Sequence, residues 1–278
     1  SFSTTDGKEL WRFWTLPANS ELRGAPTWLT GSYDSKTNTI YWPIGTLPDK
    51  QRIDPFYKTP NAYHDGIVAL DANDGKLKWF TRLGEYLPID WDANEPLVLA
   101  NENGKDIILQ ANRNGMFYKI DRENGKIISA KPFVNKLDWK AKDPCPSVRG
   151  ATNWMAPSLS RSTNLFYVMT LEGCVGEATS LSIKAVDPLN LSIRWTYPVR
   201  DTNFGIPGVL STGGNVVFSA EASGHIIALD AFSGKRIWEF NTGRMVFAAP
   251  ITYMPNDRQY MSLVVGSDVY TFGPYTAQ

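Results

Sequence analysis

This sequence predicts an all-β fold made of small repeated sheets, and three observations carry that reading. Aromatic residues make up 13% of the 278-residue chain, with 10 Trp beside 22 Gly and 18 Pro. Aromatic side chains favour strands, while Gly and Pro punctuate turns. A pattern Asp-x-x-x-Gly-Lys-x-x-Trp stands complete at Asp71 to Trp79 and Asp230 to Trp238, and its Gly-Lys-x-x-Trp end also stands at Gly7 to Trp11. The Trp places of the successive units (11, 79, 129, 195 and 238) lie 68, 50, 66 and 43 residues apart, close to the ~40–50 residues of a four-stranded propeller blade, with insertions in some.

Taken in order, the chain opens on the turn Thr5-Asp6-Gly7-Lys8 leading to Trp11, inside a repeat, which predicts that preceding strands, and with them preceding blades, lie outside it. The strand Gly66-Ile67-Val68-Ala69-Leu70-Asp71 alternates, and Asp74-Gly75 then supplies the positive φ of a tight hairpin before the strand carrying Trp79. Arg122-Glu123-Asn124-Gly125-Lys126-Ile127 repeats the turn with Ser129 at the Trp place. Asp187 to Trp195 keeps the Asp and Trp but has lost the Gly-Lys, and His225 to Trp238 restores the whole unit. Each unit is a strand, a tight turn and a strand, and the expected architecture is one β-propeller segment of four-stranded blades spanning 1–278. An all-β sandwich is the alternative, but it does not repeat such an element at this period. The repeated Trp reads as a structural wedge between blades.

Charge and motifs exclude several function classes. Lys+Arg and Asp+Glu both number 28, so no basic footprint for nucleic acid exists. No run approaches the ~18 apolar residues of a membrane helix. His64 and His225 stand in no zinc-ligand spacing and read as loop or strand-surface residues; no Gly-Lys is followed by Ser or Thr, and no Gly-x-Gly-x-x-Gly occurs. Asp71-Ala72-Asn73-Asp74-Gly75 has the wrong ligand spacing for a calcium loop and reads as a hairpin turn. Cys145 and Cys174 are too few for a disulfide framework or a four-cysteine zinc site; one bridge or two buried thiols both fit.

The repeated Asp-x-x-x-Gly-Lys-x-x-Trp resembles the tryptophan-docking motif of the quinoprotein alcohol dehydrogenases, eight-bladed enzymes that use pyrroloquinoline quinone (PQQ). Trp28-Leu29-Thr30-Gly31-Ser32-Tyr33-Asp34, Ile40-Tyr41-Trp42, Ile89-Asp90-Trp91-Asp92-Ala93-Asn94-Glu95-Pro96, Gln110-Ala111-Asn112-Arg113-Asn114-Gly115 and Gly150-Ala151-Thr152-Asn153-Trp154-Met155 fall in that family's order. The resemblance covers essentially the whole chain and corresponds to the C-terminal half of a complete member. It implies oxidation of an alcohol by hydride transfer to PQQ, with electrons passed to a cytochrome c or quinone acceptor, in the periplasm, where a Cys145–Cys174 bridge would fit.

Residue by residue, the resemblance gives Trp28 the role of stacking on the planar quinone, where composition alone gives a core Trp. Asp90 matches the catalytic base that takes the alcohol proton. Asp92 stands two residues on, and in an extended segment both carboxylates would face one ion; this second Asp resembles the lanthanide-dependent branch more than the calcium enzymes. Arg113 matches the basic residue near the quinone carbonyls, with a surface Arg before Asn-Gly as the other reading. Asn153 and Trp154 match a Thr-Asn-Trp that reaches the cofactor edge, or form a structural turn. Thr46, in Gly45-Thr46-Leu47-Pro48, stands where the family has a metal-binding Asn, and Ile206 stands where it often has a Trp. The family's metal-binding Glu falls in the half not matched, so a second chain or segment supplying the N-terminal blades is expected. The competing function is a non-catalytic propeller of the same ancestry, a binding scaffold of the kind used in outer-membrane protein assembly.

Overall fold

The computed structural model describes residues 1–18, 21–48, 58–84, 89–200 and 207–274. Among these residues lie five antiparallel sheets, and no helix is long and apolar enough to cross a membrane. Four sheets have four strands: β1 (Ser32–Asp34), β2 (Thr39–Ile44), β3 (Gly66–Asp71), β4 (Leu77–Arg82); β5 (Val98–Glu102), β6 (Lys105–Ala111), β7 (Met116–Asp121), β8 (Ile127–Pro132); β9 (Ser158–Leu159), β10 (Phe166–Glu172), β11 (Ser180–Asp187), β12 (Ser192–Val199); and β13 (Leu210–Ser211), β14 (Val216–Ala220), β15 (His225–Asp230), β16 (Arg236–Asn241). The last holds β17 (Ile251–Tyr253), β18 (Tyr260–Val265) and β19 (Asp268–Phe272). Every sheet is ordered as the chain runs, the up-and-down topology of a propeller blade.

The repeat occupies the same place in each four-stranded sheet, the turn between third and fourth strands. In the first, Gly75 donates its N–H to Asp71 O and Asp71 N–H donates to Lys76 O, while the Asp71 carboxylate accepts from Asn73 N. The ladder shifts register just before this turn in all four sheets, at Ala69/Leu70, Lys119/Ile120, Ala185/Val186 and Ala228/Leu229. The degenerate copy keeps the geometry without the glycine: Leu191 N–H bonds Asp187 O at 2.8 Å with Leu191 at φ 58.

The chain divides into two compact units, residues 1–132 with 137–153, and residues 133–136 with 154–278. In the first, Trp11 donates its indole N–H to Ala72 O and Trp79 to Arg122 O, each the residue after the turn Asp of the following sheet. In the second, Trp195 does the same to Ala231 O. At these three places the repeated Trp is a wedge against the following sheet, as the repeat predicts.

The third strands are buried on both faces rather than alternating; β3 is buried from Gly66 through Leu70. Its neighbours account for this. Tyr41, Ile67, Ala69, Ile108, Tyr118 and Ile120 share one core of the first unit, while Ile44, Leu47, Val68 and Leu70 pack into another with Leu22 and Ala25. The second unit has its own cores, one around Tyr167, Ile183, Trp195, Val217 and Ile227, the other around Ile226, Met261 and Leu263. Cys145 and Cys174 are both disulfide-bonded.

Candidate functional site

Antiparallel order brings the start of β1, the end of β2, the start of β3 and the end of β4 to one edge of the first sheet, and the same rule brings the start of β5 and the end of β6 to the matching edge of the second. Most of the predicted site residues in the first unit lie in the segments just beyond these strand ends. The ladder continues past the strands as single bonds, Gly45 N–H to Pro26 O at 2.8 Å and Asp65 N–H to Gly45 O at 3.0 Å. Gly45 has to be a glycine: a Cβ there would stand 2.2 Å from Asp92 Oδ1 and 2.8 Å from Pro26.

Asp92 is the centre of the arrangement. Its side chain is buried, and three donors from three other segments converge on it: Thr46 N–H on Oδ1 at 2.8 Å, Trp28 Nε1–H on Oδ2 at 3.3 Å and Arg113 Nη1 on Oδ2 at 3.2 Å. Burial pushes the Asp92 carboxyl above the ordinary carboxylate range; the Thr46 bond opposes this, the Asp90 charge adds to it and Arg113 opposes it. Trp28 is thereby fixed by its polar edge while 48% of the residue stays open to solvent. A core Trp does not look like this; the indole is tethered at one edge and leaves an open surface.

Arg113 is held from both sides. Its Nη2 donates to Val148 O at 2.9 Å, its carbonyl accepts Ala151 N–H, and a Cβ on Gly150 would come within 2.0 Å of its Cγ. The Gln-Ala-Asn-Arg-Asn-Gly run explains itself here. Gln110 Nε2 donates to the carbonyls of Ala93 and Glu95, Asn112 Nδ2 donates to Gln110, and the Asn112 side chain caps Asn114 N–H. These bonds pin the Asp92 segment to the end of β6.

The two neighbouring carboxylates differ in burial. Trp91 N–H donates back to Ile89 O at 3.0 Å, a tight turn centred on Asp90, so the extended spacing that would align positions 90 and 92 is absent. Asp90 is exposed and Asp92 buried. Asn153 is largely buried and donates its amide to Arg149 O, whereas Trp154, in the second unit, is 44% exposed. Ile206 lies outside the described residues.

Several groups escaped the sequence reading. His64, expected at a surface, is fully buried in a loop before β3, and Asp65 beside it is also buried. Asp65 Oδ2 takes the Thr46 hydroxyl at 3.1 Å and His64 Nδ1 at 2.9 Å. Glu95 is buried, neither carboxylate oxygen has a hydrogen-bond partner among the described residues, and burial raises its carboxyl well above the usual range against the pull of Arg113.

PQQ and a metal differ in how well they suit these residues. The open Trp28 indole beside a fixed guanidinium suits a planar, anionic quinone. A hard cation takes about 6–8 oxygen ligands. Among the described residues no three His, Cys, Asp or Glu side chains are grouped to hold one, and both Asp92 oxygens already face N–H donors. This donor set does not by itself meet a calcium or lanthanide ion.

Residues 1–132 match the family model described as glucose/ethanol/alcohol dehydrogenase, beta-propeller domain, and residues 182–268 match that of outer membrane protein assembly factor BamB. Quinoprotein alcohol dehydrogenase PedH of Pseudomonas putida KT2440 is 30% identical over 300 residues, covering 87% of this chain and 50% of the relative. The crystal structure of quinohemoprotein alcohol dehydrogenase from Comamonas testosteroni matches with a TM-score of 0.81 at 28% identity, over 92% of this chain and 50% of that one. A europium-containing methanol dehydrogenase, 22% identical, shares the fold with a TM-score of 0.73 over 86% of this chain and 51% of that one. The chain spans about half the length of the curated relatives it matches. Sequence and fold together make this chain a relative of the PQQ-dependent quinoprotein alcohol dehydrogenases, with a β-propeller architecture that matches about half of a family member.

Proposed function

We propose that the protein of which this chain is part oxidises an alcohol with PQQ as hydride acceptor, and that this chain, as one propeller segment, supplies one wall of the site. The observation that supports this best is the convergence of Thr46, Trp28 and Arg113 on Asp92, from four separate segments that all lie within the matched residues 1–132. Bound quinone would supply the two-electron acceptor for the hydride. Trp28 offers the stacking surface, and Arg113 places positive charge beside the acceptor oxygens. The carboxylate to which we assign the alcohol hydroxyl proton is Asp92 rather than Asp90, because Asp92 is the one held among these partners. Its raised affinity for a proton suits a base.

Calcium or a lanthanide, expected on Asp90, Asp92 and Thr46, needs ligands beyond those present here, and the remainder of the protein is where we place them. A cytochrome c or quinone acceptor and the periplasm follow from the family resemblance, and the disulfide-bonded cysteines suit an oxidising compartment. One observation favours the competing scaffold function, the match of residues 182–268 to BamB. The test is dye-coupled alcohol oxidation by the full-length protein. Asp92→Asn is expected to lower kcat by about 10²–10⁴-fold, the worth of a positioned base, and Asp90→Asn by much less; the reverse order would return the base to Asp90.

A further inference from the structure

We propose that Asp65 and His64 are positioning residues that lock Thr46 in place and thereby aim the Asp92 carboxylate; the inference rests on the proposed function only in naming Asp92 as the base. A continuous hydrogen-bonded line runs through buried groups of the first unit. Arg82 Nη2 stands 3.2 Å from His64 Nε2, and a guanidinium only donates, so Nε2 accepts and the ring proton sits on Nδ1. That Nδ1–H donates to Asp65 Oδ2 at 2.9 Å. The same oxygen accepts the Thr46 hydroxyl at 3.1 Å, and Thr46 N–H ends the line on Asp92 Oδ1 at 2.8 Å.

The order of groups determines what the line does. The carboxylate lies between hydroxyl and imidazole, so the imidazole does not touch the Thr46 oxygen and nothing here activates a nucleophile. What the line does is remove freedom. The Thr46 hydroxyl gives its proton to Asp65, so toward any other group its oxygen is an acceptor only. The backbone repeats the restraint, because Asp65 N–H donates to Gly45 O at 3.0 Å and Leu83 N–H to Asp65 O at 2.7 Å. Asp65 also holds φ 52, a left-handed conformation that Asp and Asn tolerate best among side-chain-bearing residues. Side chain and main chain thus fix the 45–46 segment from the same residue, and the amide of that segment is the hydrogen-bond partner of Asp92 Oδ1 among the described residues.

The test uses the full-length protein labelled with ¹⁵N. The ring nitrogen signals of His64 are those lost in a His64→Gln comparison. The expected spectrum shows His64 with its proton on Nδ1, shielded from exchange. Thr46→Val, which keeps shape and amide but loses the hydroxyl, and Asp65→Ala should each speed hydrogen exchange of the residue-46 amide by about tenfold or more, as expected where a supporting bond is lost. Asp65→Asn keeps an acceptor and the tolerated φ, and should stay within about threefold. In turnover, Thr46→Val should lower kcat by about 10–100-fold, the usual cost of losing an outer-shell partner, with KM for the alcohol nearly unchanged. An Nε2–H tautomer, or residue-46 exchange unaltered in Thr46→Val, overturns the inference. A protein that shows the expected exchange but oxidises no alcohol keeps the positioning line and rejects the proposed function instead.

Discussion

Gly234→Ala probes the blade-docking contact, because the two penalties it introduces can be separated. Gly234 sits at φ +70, where an L-residue costs about 1–2 kcal/mol. Its added Cβ would also stand 2.6 Å from Trp195 Cδ2 and Cε3. The indole cannot yield without leaving Ala231 O, to which its N–H donates at 3.0 Å, a bond worth about 0.5–1.5 kcal/mol net. The restricted unfolded chain returns about 0.4–1 kcal/mol. The net loss is about 0.5–3 kcal/mol, which at roughly 2–4 °C per kcal/mol lowers Tm by roughly 1–12 °C. Gly104→Ala is the control, with φ +85 and nothing within 4 Å of the new Cβ, so only the conformational term applies. Thermal unfolding of the full-length protein followed by circular dichroism and Trp fluorescence at one scan rate makes the comparison. Equal shifts for the two variants would falsify the wedge, since Trp195 would then not be pressed on the turn.

Three further outcomes follow. Glu95→Gln should stabilise the protein at neutral pH, because the folded-state Glu95 carboxyl titrates above its unfolded value: the proton is kept on folding, so wild-type stability falls as pH rises from about 4.3 toward the raised folded value. The Tm difference between variant and wild type should close on acidification below that point, and a difference independent of pH refutes the buried neutral acid. Gly150→Ala should displace Arg113, whose Cγ the new methyl meets at 2.0 Å, and lower kcat/KM by about tenfold or more, in line with a misplaced electrostatic group; unchanged kinetics would remove Arg113 from the site. Trp28→Ala should weaken PQQ binding by about 1–3 kcal/mol if stacking is its role, read by quinone titration of the metal-supplemented full-length protein, and equal affinities would make Trp28 a structural residue only.

The docking repeat was legible because its chemistry is local. An Asp that caps the turn, a residue at positive φ and a Trp four places on lie within nine positions, so three strong copies stand out by eye. The copy at Asp187 to Trp195 was legible from its Asp and Trp alone: tertiary packing holds the aliphatic Leu191 at φ 58, which no local preference forecasts. The convergence of Thr46, Asp92, Trp28 and Arg113 was legible only through motif order, since the four come together across strand ends. Period-two reasoning aligned Asp90 with Asp92 by assuming an extended segment, whereas a backbone bond from Trp91 to Ile89 makes a turn there. His64, Asp65 and Glu95 gave no signal because burial of a polar group depends on what the fold lays over it. The alternation read in β3 fails for the same reason: its two faces are covered, one by the second sheet and the other by the core around Leu22, Ala25 and Leu47.

The central claim is that this edge of the propeller belongs to a quinone site, and the most direct measurement is the quinone content of the full-length protein. It would be purified with calcium or lanthanum present and titrated with PQQ, with absorbance read at each addition. The account predicts saturable uptake of about one PQQ per protein, weakened in Trp28→Ala as stacking requires. A full-length protein that neither retains nor takes up PQQ with either metal would contradict the account and leave the propeller as a binding scaffold.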